Sequence, residues 1–432
     1  MFAKIKKSVN GTWLKINSLA GISVVIKIGV GVLSSKIISV CIGPSGVAMV
    51  GNFRNFFTSV ETISTLGFQN GIVKYIAEIK NNKLEIKKYI STIVITVFVA
   101  TMVACCLLFF LATFWSSILF ENNESYAIVF QITAILLPCY IAAAIFLLII
   151  NGLDRYRLVV YSTIFGNILG LAVTYFMVIN FGLAGALLTI VVTQTLQFFV
   201  LFYYLNLEIN IFQSIKLQYF DWQIIKNLSS FSLMTIVSAV FVPMVFLSIR
   251  QHIISTINIE AAGYWTTIDL ISGYYFLFIS TIISVFYFPK LSIAKPGFET
   301  KLLFLQFYKS TIPIFGVGLI LLYFTKTIVI KLLFTSDFLP VQNLFFFQLL
   351  GDFFKALSLI LAFNLIAKKH VFWFLTFEIT SVAIKYFASL FFLDQFKIEG
   401  IVMAHLLTYF VYFLFLAVYN RKSLFAQNLI KK

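Results

Sequence analysis

The sequence predicts an all-α polytopic membrane protein of about twelve transmembrane helices, in two bundles of six, with both termini in the cytoplasm. Three observations predict it. The 432 residues are 61% hydrophobic and only 11% charged, with a mean hydropathy of +0.99, which leaves too little polar surface for a soluble protein of that length. Apolar runs of about 20 residues, enough to span a bilayer core, recur along the whole chain. Lysine and arginine crowd onto alternate connections between those runs, as the positive-inside rule requires.

The spans fall near 18–40, 47–70, 90–119, 127–150, 158–180, 183–206, 228–249, 263–288, 303–325, 341–367, 371–392 and 400–420. The first follows MFAKIKK, which looks like the basic n-region of a signal peptide. The run from Ser18 to Val40 is longer than a signal h-region and carries no convincing cleavage site, so it reads as a retained helix. With the N-terminus inside, the inner connections carry Lys4, Lys80, Lys87, Lys88, Arg155, Arg157, Lys216, Lys226, Lys290, Lys368, Lys369, Arg421, Lys431 and Lys432 among others. The outer ones carry only Arg250, Lys326, Lys331 and Lys397. One helix missed or invented would destroy that asymmetry.

The longest central connection, LEINIFQSIKLQYFDWQIIK from Leu207 to Lys226, divides the chain. It separates an N-terminal six-helix bundle (1–206) from a C-terminal one (228–432), with a cytoplasmic linker at 207–227. The halves echo each other. FGLAGALLTIVVTQTLQFFVLFYY (181–204) aligns with FKIEGIVMAHLLTYFVYFLFLAVY (396–419), placing Gly185 on Gly400, Thr193 on Thr408 and Phe198 on Phe413. Repeats with an even number of helices share one orientation, as in transporters that rock one half against the other.

Several function classes are excluded. The net charge of +16 does not mark a nucleic-acid binder, because the basic residues are spread over short loops instead of one domain. Cys41, Cys105, Cys106 and Cys139 lie in or beside apolar segments without C-x-x-C spacing and read as small apolar residues. There is no G-x-x-x-x-G-K and no H-E-x-x-H. His252, His370 and His405 are scattered, and His405, inside the last span, reads as a hydrogen-bonded core residue. With no catalytic constellation and no metal cluster, the expectation is transport without covalent chemistry and without a cofactor.

The informative residues are the charges inside the spans, since an ionised group at the centre of a helix in hydrocarbon costs at least ~2.5–3.5 kcal/mol. Lys27, Arg54, Glu61, Asp269, Asp352, Lys355, Glu378 and Lys385 sit near span centres, Lys36 and Arg250 nearer the outer ends and Lys74 nearer the inner one. Asp352 and Lys355, three apart, are spaced to pair on one helix face. Lys36 and Lys74 are placed to snorkel to headgroups. Lys27 and Arg54 have no acid within a turn of their own helix, and the arginine fork suits phosphate oxygens. Glu61, two turns beyond Arg54, is expected to pair with a cation from another helix.

The first two spans, VVIKIGVGVLSSKIISVCIGPSGVAMVGNFRNFFTSV and NGIVKYIAE, resemble the lipid III flippase branch of the Wzx family, within the superfamily that holds the MATE exporters. The likeness continues in PKLS (289–292), LLGDFFKALSLILAFNLIAKKH (349–370), FEITSV (377–382) and TYFVYF (408–413), and so covers nearly the whole chain. It implies a MATE-like fold of two six-helix bundles about a V-shaped cavity, in the bacterial inner membrane. The implied cargo is an oligosaccharide repeat unit on undecaprenyl diphosphate, of O-antigen or enterobacterial common antigen type, carried from the cytoplasmic to the periplasmic leaflet. Lys27, Lys36, Arg54, Lys74, Arg250, Asp352, Lys355 and Glu378 match family charges. Glu61 stands where a small residue is expected, and Gly273 where an acid is common, with Asp269 one turn earlier in its place.

A diphosphate crosses hydrocarbon only at a cost of tens of kcal/mol, so a carrier must supply cations and a wet path. Arg54, Lys27, Arg250, Lys355 and Lys74 are the candidates to hold the diphosphate. Asp352, Glu378, Glu61 and Asp269 are the candidates to balance those cations or to carry a coupling H+ or Na+. The expected partners are the lipid-linked oligosaccharide, the bilayer and other membrane proteins of polysaccharide assembly, with the carrier itself a monomer. Two other readings stay open. A MATE-type cation-coupled drug exporter would share the architecture but calls for acids to dominate its charges. A membrane enzyme of polysaccharide assembly would need catalytic groups that are not found.

Overall fold

The computed structural model describes residues 2–120, 123–209 and 214–425, and among them the secondary structure is helical throughout, with no strand. The helices are α1 (Phe2–Ser64), α2 (Gln69–Ile79), α3 (Lys83–Phe110), α4 (Ala112–Leu119), α5 (Ala127–Gly152), α6 (Tyr156–Ile209), α7 (Trp222–Thr256), α8 (Ile259–Ile282), α9 (Phe288–Ile293), α10 (Phe298–Leu333), α11 (Phe345–Ala367), α12 (Val371–Phe396), α13 (Ile398–Tyr419) and α14 (Arg421–Leu424). A π-helical stretch (Ile283–Tyr287) joins α8 to α9, and a 3-10 stretch (Ser336–Leu344) leads into α11. Nine helical segments among the described residues are long and apolar enough to cross a membrane. Phe110, Ile314, Phe324 and Leu332 are each more than 70% exposed, the outward apolar surface of a chain whose surroundings are lipid. This is a multi-pass membrane protein.

Local sequence explains where helices begin and turn. Asn82 caps α3, its Oδ1 accepting from the amides of Leu84 and Glu85, and Asn258 caps α8 by accepting from Ala261 N at 2.8 Å. Gly43, at φ 63°, breaks α1 in a conformation only glycine adopts cheaply, and Pro44 restarts the helix where a missing N–H costs nothing. Gly182, at φ 54°, breaks α6 in the same way. Beyond Gly182 the chain doubles back: Gly170 abuts Thr193, Gly166 abuts Gln197, and Gln197 Nε2 donates to the Ser162 carbonyl at 2.9 Å. Ser162, Gly166 and Gly170, four residues apart, form the small-residue stripe that lets two membrane helices approach closely.

The internal echo extends into the backbone. Gly182 (φ 54°) and Lys397 (φ 52°) turn at equivalent positions of the two halves. A Cβ on Gly185 would overlap the Met177 carbonyl, and one on Gly400 would overlap the Phe392 carbonyl, again at equivalent positions. Eight residues along a straight helix are about 12 Å apart, so both contacts report the same hairpin. The turn after α5 repeats after α11. Its amides at Leu153, Asp154 and Arg155 donate to the carbonyls of Ile149, Asn151 and Ile150, and those at Lys368, Lys369 and His370 donate to Asn364, Ile366 and Leu365. Asp154 (φ 60°) and Lys369 (φ 57°) carry the left-handed residue of each turn. Since carbonyl oxygen cannot give way, Gly185→Ala and Gly400→Ala are each expected to cost at least ~1–3 kcal/mol, read as a lowered unfolding temperature of the purified protein in detergent.

By contacts the chain forms two units, one made of the chain up to Ile42 with Met49–Pro243, the other of Gly43–Ala48 with the chain from Met244 onward. The first has an aromatic core in which the Phe53 ring packs 5.6 Å from Phe130 and stacks on Phe57, which in turn meets Tyr140 at 4.8 Å. The second is centred on Ile283, Phe304, Phe307, Ile360, Leu361, Leu365 and Leu416. Within the 207–227 connection, Lys216 is tied to Ser91 and Asp221 to Thr92 of α3, through bonds of 2.7 to 3.1 Å. Residues 210–213 of that connection, and Lys431 and Lys432, lie outside the described residues.

Candidate functional site

In the first unit, packing fixes how α1 presents its charges. Phe53 and Phe57 are buried, and Asn52, also buried, donates through Nδ2 to the Leu119 carbonyl at 3.0 Å. Those three residues lock the rotation of the helix and put Arg54 on its exposed side. Lys27, in the preceding segment, is exposed as well, while Lys36 is half-buried. Glu61 is half-buried and accepts from the Tyr140 hydroxyl at 2.9 Å. Its partner is thus a neutral phenol on α5, where a cation was expected. Lys74 lies on α2 beside Glu78, at 3.9 Å, and over the Tyr75 ring.

In the second unit, polar groups from three helices converge on Asp352, which has no exposed surface. His405 Nε2, from α13, lies 2.9 Å from Asp352 Oδ1, a spacing that places one proton between imidazole and carboxyl. Ser272 and Tyr275, one turn apart on α8, both donate to Asp352 Oδ2, the serine at 2.6 Å. Gln348, one turn before Asp352 on α11, donates to Ser272 at 3.0 Å and to Asp352 at 3.3 Å. Its Oε1 is buried without a hydrogen-bond partner. The arrangement holds one proton shared between imidazole and carboxyl, and one spare oxygen acceptor on Gln348.

The cations of this unit lie around that network on aromatic faces. Lys355 Nζ is 4.4 Å from the centre of the Phe276 ring and 5.1 Å from that of Tyr409. Lys385, buried, lies 4.0 Å over Phe246. Arg250, also buried, stacks 5.3 Å over Trp265 and donates from Nε to Thr266 at 3.1 Å. Aromatic faces attract cations most strongly where water is excluded. Asp269, on the same helix α8 as Trp265 and Thr266, is half-buried. Glu378 accepts from the Tyr412 hydroxyl at 3.4 Å.

Asp352, Asp269, Lys355 and Arg250 thus belong to one unit, and Arg54, Lys27, Lys74 and Glu61 to the other. The geometry also adds members that the charge pattern passed over: Ser272, Tyr275, Gln348 and His405. Their signal was available as polar residues at one-turn spacing within apolar spans. His405 is the hydrogen-bonded core histidine that its place in the last span suggests. Among the described residues, no group of three or more His, Cys, Asp or Glu side chains is placed to hold a metal ion.

Comparison with known proteins places this architecture. The family described as polysaccharide biosynthesis protein matches residues 17–295. The chain belongs to that family. This polysaccharide biosynthesis family member is 24% identical over 391 residues to the lipid III flippase of Escherichia coli (strain K12), and equally to that of Shigella flexneri. Each match covers 90% of this chain and 94% of the relative. Among solved structures it resembles an inward-facing multidrug resistance MATE family transporter of the MOP superfamily, with a TM-score of 0.72 at 13% identity over 91% of this chain and 94% of the other. It also resembles the lipid II flippase MurJ in an inward closed conformation, with a TM-score of 0.70 at 13% identity over 94% and 87%. The family member thus has the fold of the MOP superfamily.

Proposed function

We propose that this protein is a flippase that carries an undecaprenyl-diphosphate-linked oligosaccharide repeat unit from the cytoplasmic to the periplasmic leaflet of the inner membrane by alternating access. The observation that carries the reading is the near end-to-end similarity to two lipid III flippases. In this reading the cargo is of O-antigen or enterobacterial common antigen type, and the carrier is non-enzymatic and acts as a monomer. Twelve crossings fit the same reading: the segments broken at Gly43 and Gly182 count twice, and α8, which carries Asp269, supplies one more. The lysine and arginine asymmetry then puts both termini in the cytoplasm.

Within this reading, Arg54 and Lys27 are the first candidates for contact with the diphosphate. Both are exposed on a membrane segment, and a charge so placed is tolerable only if water or a counter-ion meets it. Arg250 and Lys355, already held on rings, are second candidates, and Lys74, beside Glu78, is the weakest. The Asp352–His405 network is the candidate for coupling to H+ or Na+, with Asp269, Glu378 and Glu61 holding or balancing charge around it. Moving one charge down a 100 mV potential yields ~2.3 kcal/mol, enough to bias a transport cycle.

The test is complementation of a flippase-null Gram-negative strain supplied with each candidate repeat-unit pathway in turn. Restored surface glycan with loss of the accumulated lipid-linked precursor is the expected result. Failure in every pathway at normal membrane levels, with gained resistance to cationic drugs, would replace the reading by a MATE-type exporter.

A further inference from the structure

One cleft of the first unit is lined by none of Lys27, Arg54, Glu61 and Lys74. The turn between α5 and α6, together with the two antiparallel arms of α6, encloses a cleft of about 780 Å³. The turn and the start of α6 contribute Arg155 and Arg157 to its lining, and the two arms of α6 contribute Tyr161, Phe165, Val200 and Tyr204, an apolar trough along the membrane helices. Tyr161 is 59% exposed, Phe165 48% and Tyr204 41%, so the trough opens outward toward lipid. We propose that this cleft binds an anionic phospholipid, with the phosphate against the two arginines and an acyl chain in the aromatic trough.

Charge decides the occupant. Asp154 shares the mouth of the cleft, but its carboxylate is engaged by Lys80, so the arginines set the local sign. Arg157 Nε donates to the Tyr156 hydroxyl at 3.3 Å, a contact that occupies one of the five guanidinium N–H groups. Arginine presents paired donors that match phosphate oxygens, and tyrosines gather at the depth of the headgroups. A soluble anion would meet the positive charge of the arginines and leave the apolar trough unfilled. A zwitterionic lipid would fill the trough but bring a choline or ethanolamine cation to a basic mouth. Of the three, the anionic phospholipid matches both the basic mouth and the apolar trough.

The internal repeat supplies a control. The turn after α11 has the same hydrogen bonds and the same left-handed residue. There His370 and Phe372 stand where Arg155 and Arg157 do, and His370 Nδ1 is engaged by the Tyr419 hydroxyl at 2.8 Å. The fold thus makes the turn twice and places the arginine pair on it once, so the pair is not a requirement of the turn.

The experiment is a titration of the purified full chain in neutral detergent, read by native mass spectrometry and by thermal unfolding. Phosphatidylglycerol is expected to bind and to raise the unfolding temperature, whereas phosphatidylcholine and inorganic phosphate at matched concentration are not. Arg155→Gln with Arg157→Gln is expected to weaken phosphatidylglycerol binding ~30-fold, from about 1 kcal/mol per basic residue at an anionic surface, with the lipid-induced shift read against the variant's own lipid-free unfolding temperature. Should that variant fail to fold, Arg157→Gln alone is expected to weaken binding ~5-fold. Undiminished phosphatidylglycerol binding in the folded variant overturns the proposal. Equal stabilisation by inorganic phosphate overturns it too, leaving a soluble-anion site, and equal stabilisation by phosphatidylcholine leaves an ordinary lipid-facing groove.

Discussion

Arg54→Ala is expected to reach the membrane at normal levels and to export ~10- to 100-fold less glycan than wild type, with lipid-linked precursor accumulating inside the cell. The size follows from the 1.5–3 kcal/mol of a hydrogen bond to a charged group, at about 1.4 kcal/mol per factor of ten. The undamaged fold follows from position. Asn52, Phe53 and Phe57 hold the helix against its neighbours, and the exposed Arg54 side chain can be removed without disturbing them. Arg54→Lys separates two explanations. If charge alone holds the diphosphate, lysine restores most export. If the paired donors of the guanidinium matter, lysine behaves nearly as alanine does. Normal export by Arg54→Ala would assign the residue a structural role and move the diphosphate contact to Lys27 or to the second unit.

The sequence made the membrane class legible because bilayer thickness imposes a length and a composition on every span. It made the repeat legible in the last helix pair, where a carbonyl occupies the space a Cβ on Gly185 or Gly400 would need. The matching turns after α5 and α11 were not legible, because Asp154 and Lys369 share only a backbone conformation. The polar network was half legible. Helical spacing marks Asp352 and Lys355 as a possible pair, and it cannot show that Ser272, Tyr275, Gln348 and His405 take up the carboxylate while the ammonium settles over Phe276 and Tyr409. That choice depends on which helices pack together, and the composition of α11 alone does not encode it.

The asymmetry between the repeats bears on what the network is for. Leu137, wholly buried, stands in the first unit where Asp352 stands in the second, and Ile190 where His405 stands. The position of Tyr140, which donates to Glu61, corresponds to that of Lys355, and Glu61 corresponds to Phe276. The contact is kept while its chemistry is exchanged. A duplicated bundle therefore folds with apolar groups at the Asp352 and His405 positions, and the buried pair is not a requirement of the architecture.

A buried hydrogen-bonded pair of this kind is a poor source of stability compared with apolar packing, yet removing one member leaves its partners unsatisfied at a cost of ~1–3 kcal/mol for each buried group. Asp352→Ala is accordingly expected to lower the unfolding temperature sharply, with four donors left facing a void. The double replacement Asp352→Leu with His405→Ile, which writes the first unit's residues into the second, is expected to recover much of that loss. Its transport is the discriminating measurement. In proteoliposomes with fluorescent lipid-linked cargo, a network that couples to H+ or Na+ predicts a folded double variant whose flipping no longer responds to an imposed ion gradient. A double variant that still follows the gradient as wild type does would confine the pair to organising α8, α11 and α13, and coupling would then be sought at Asp269 or Glu378.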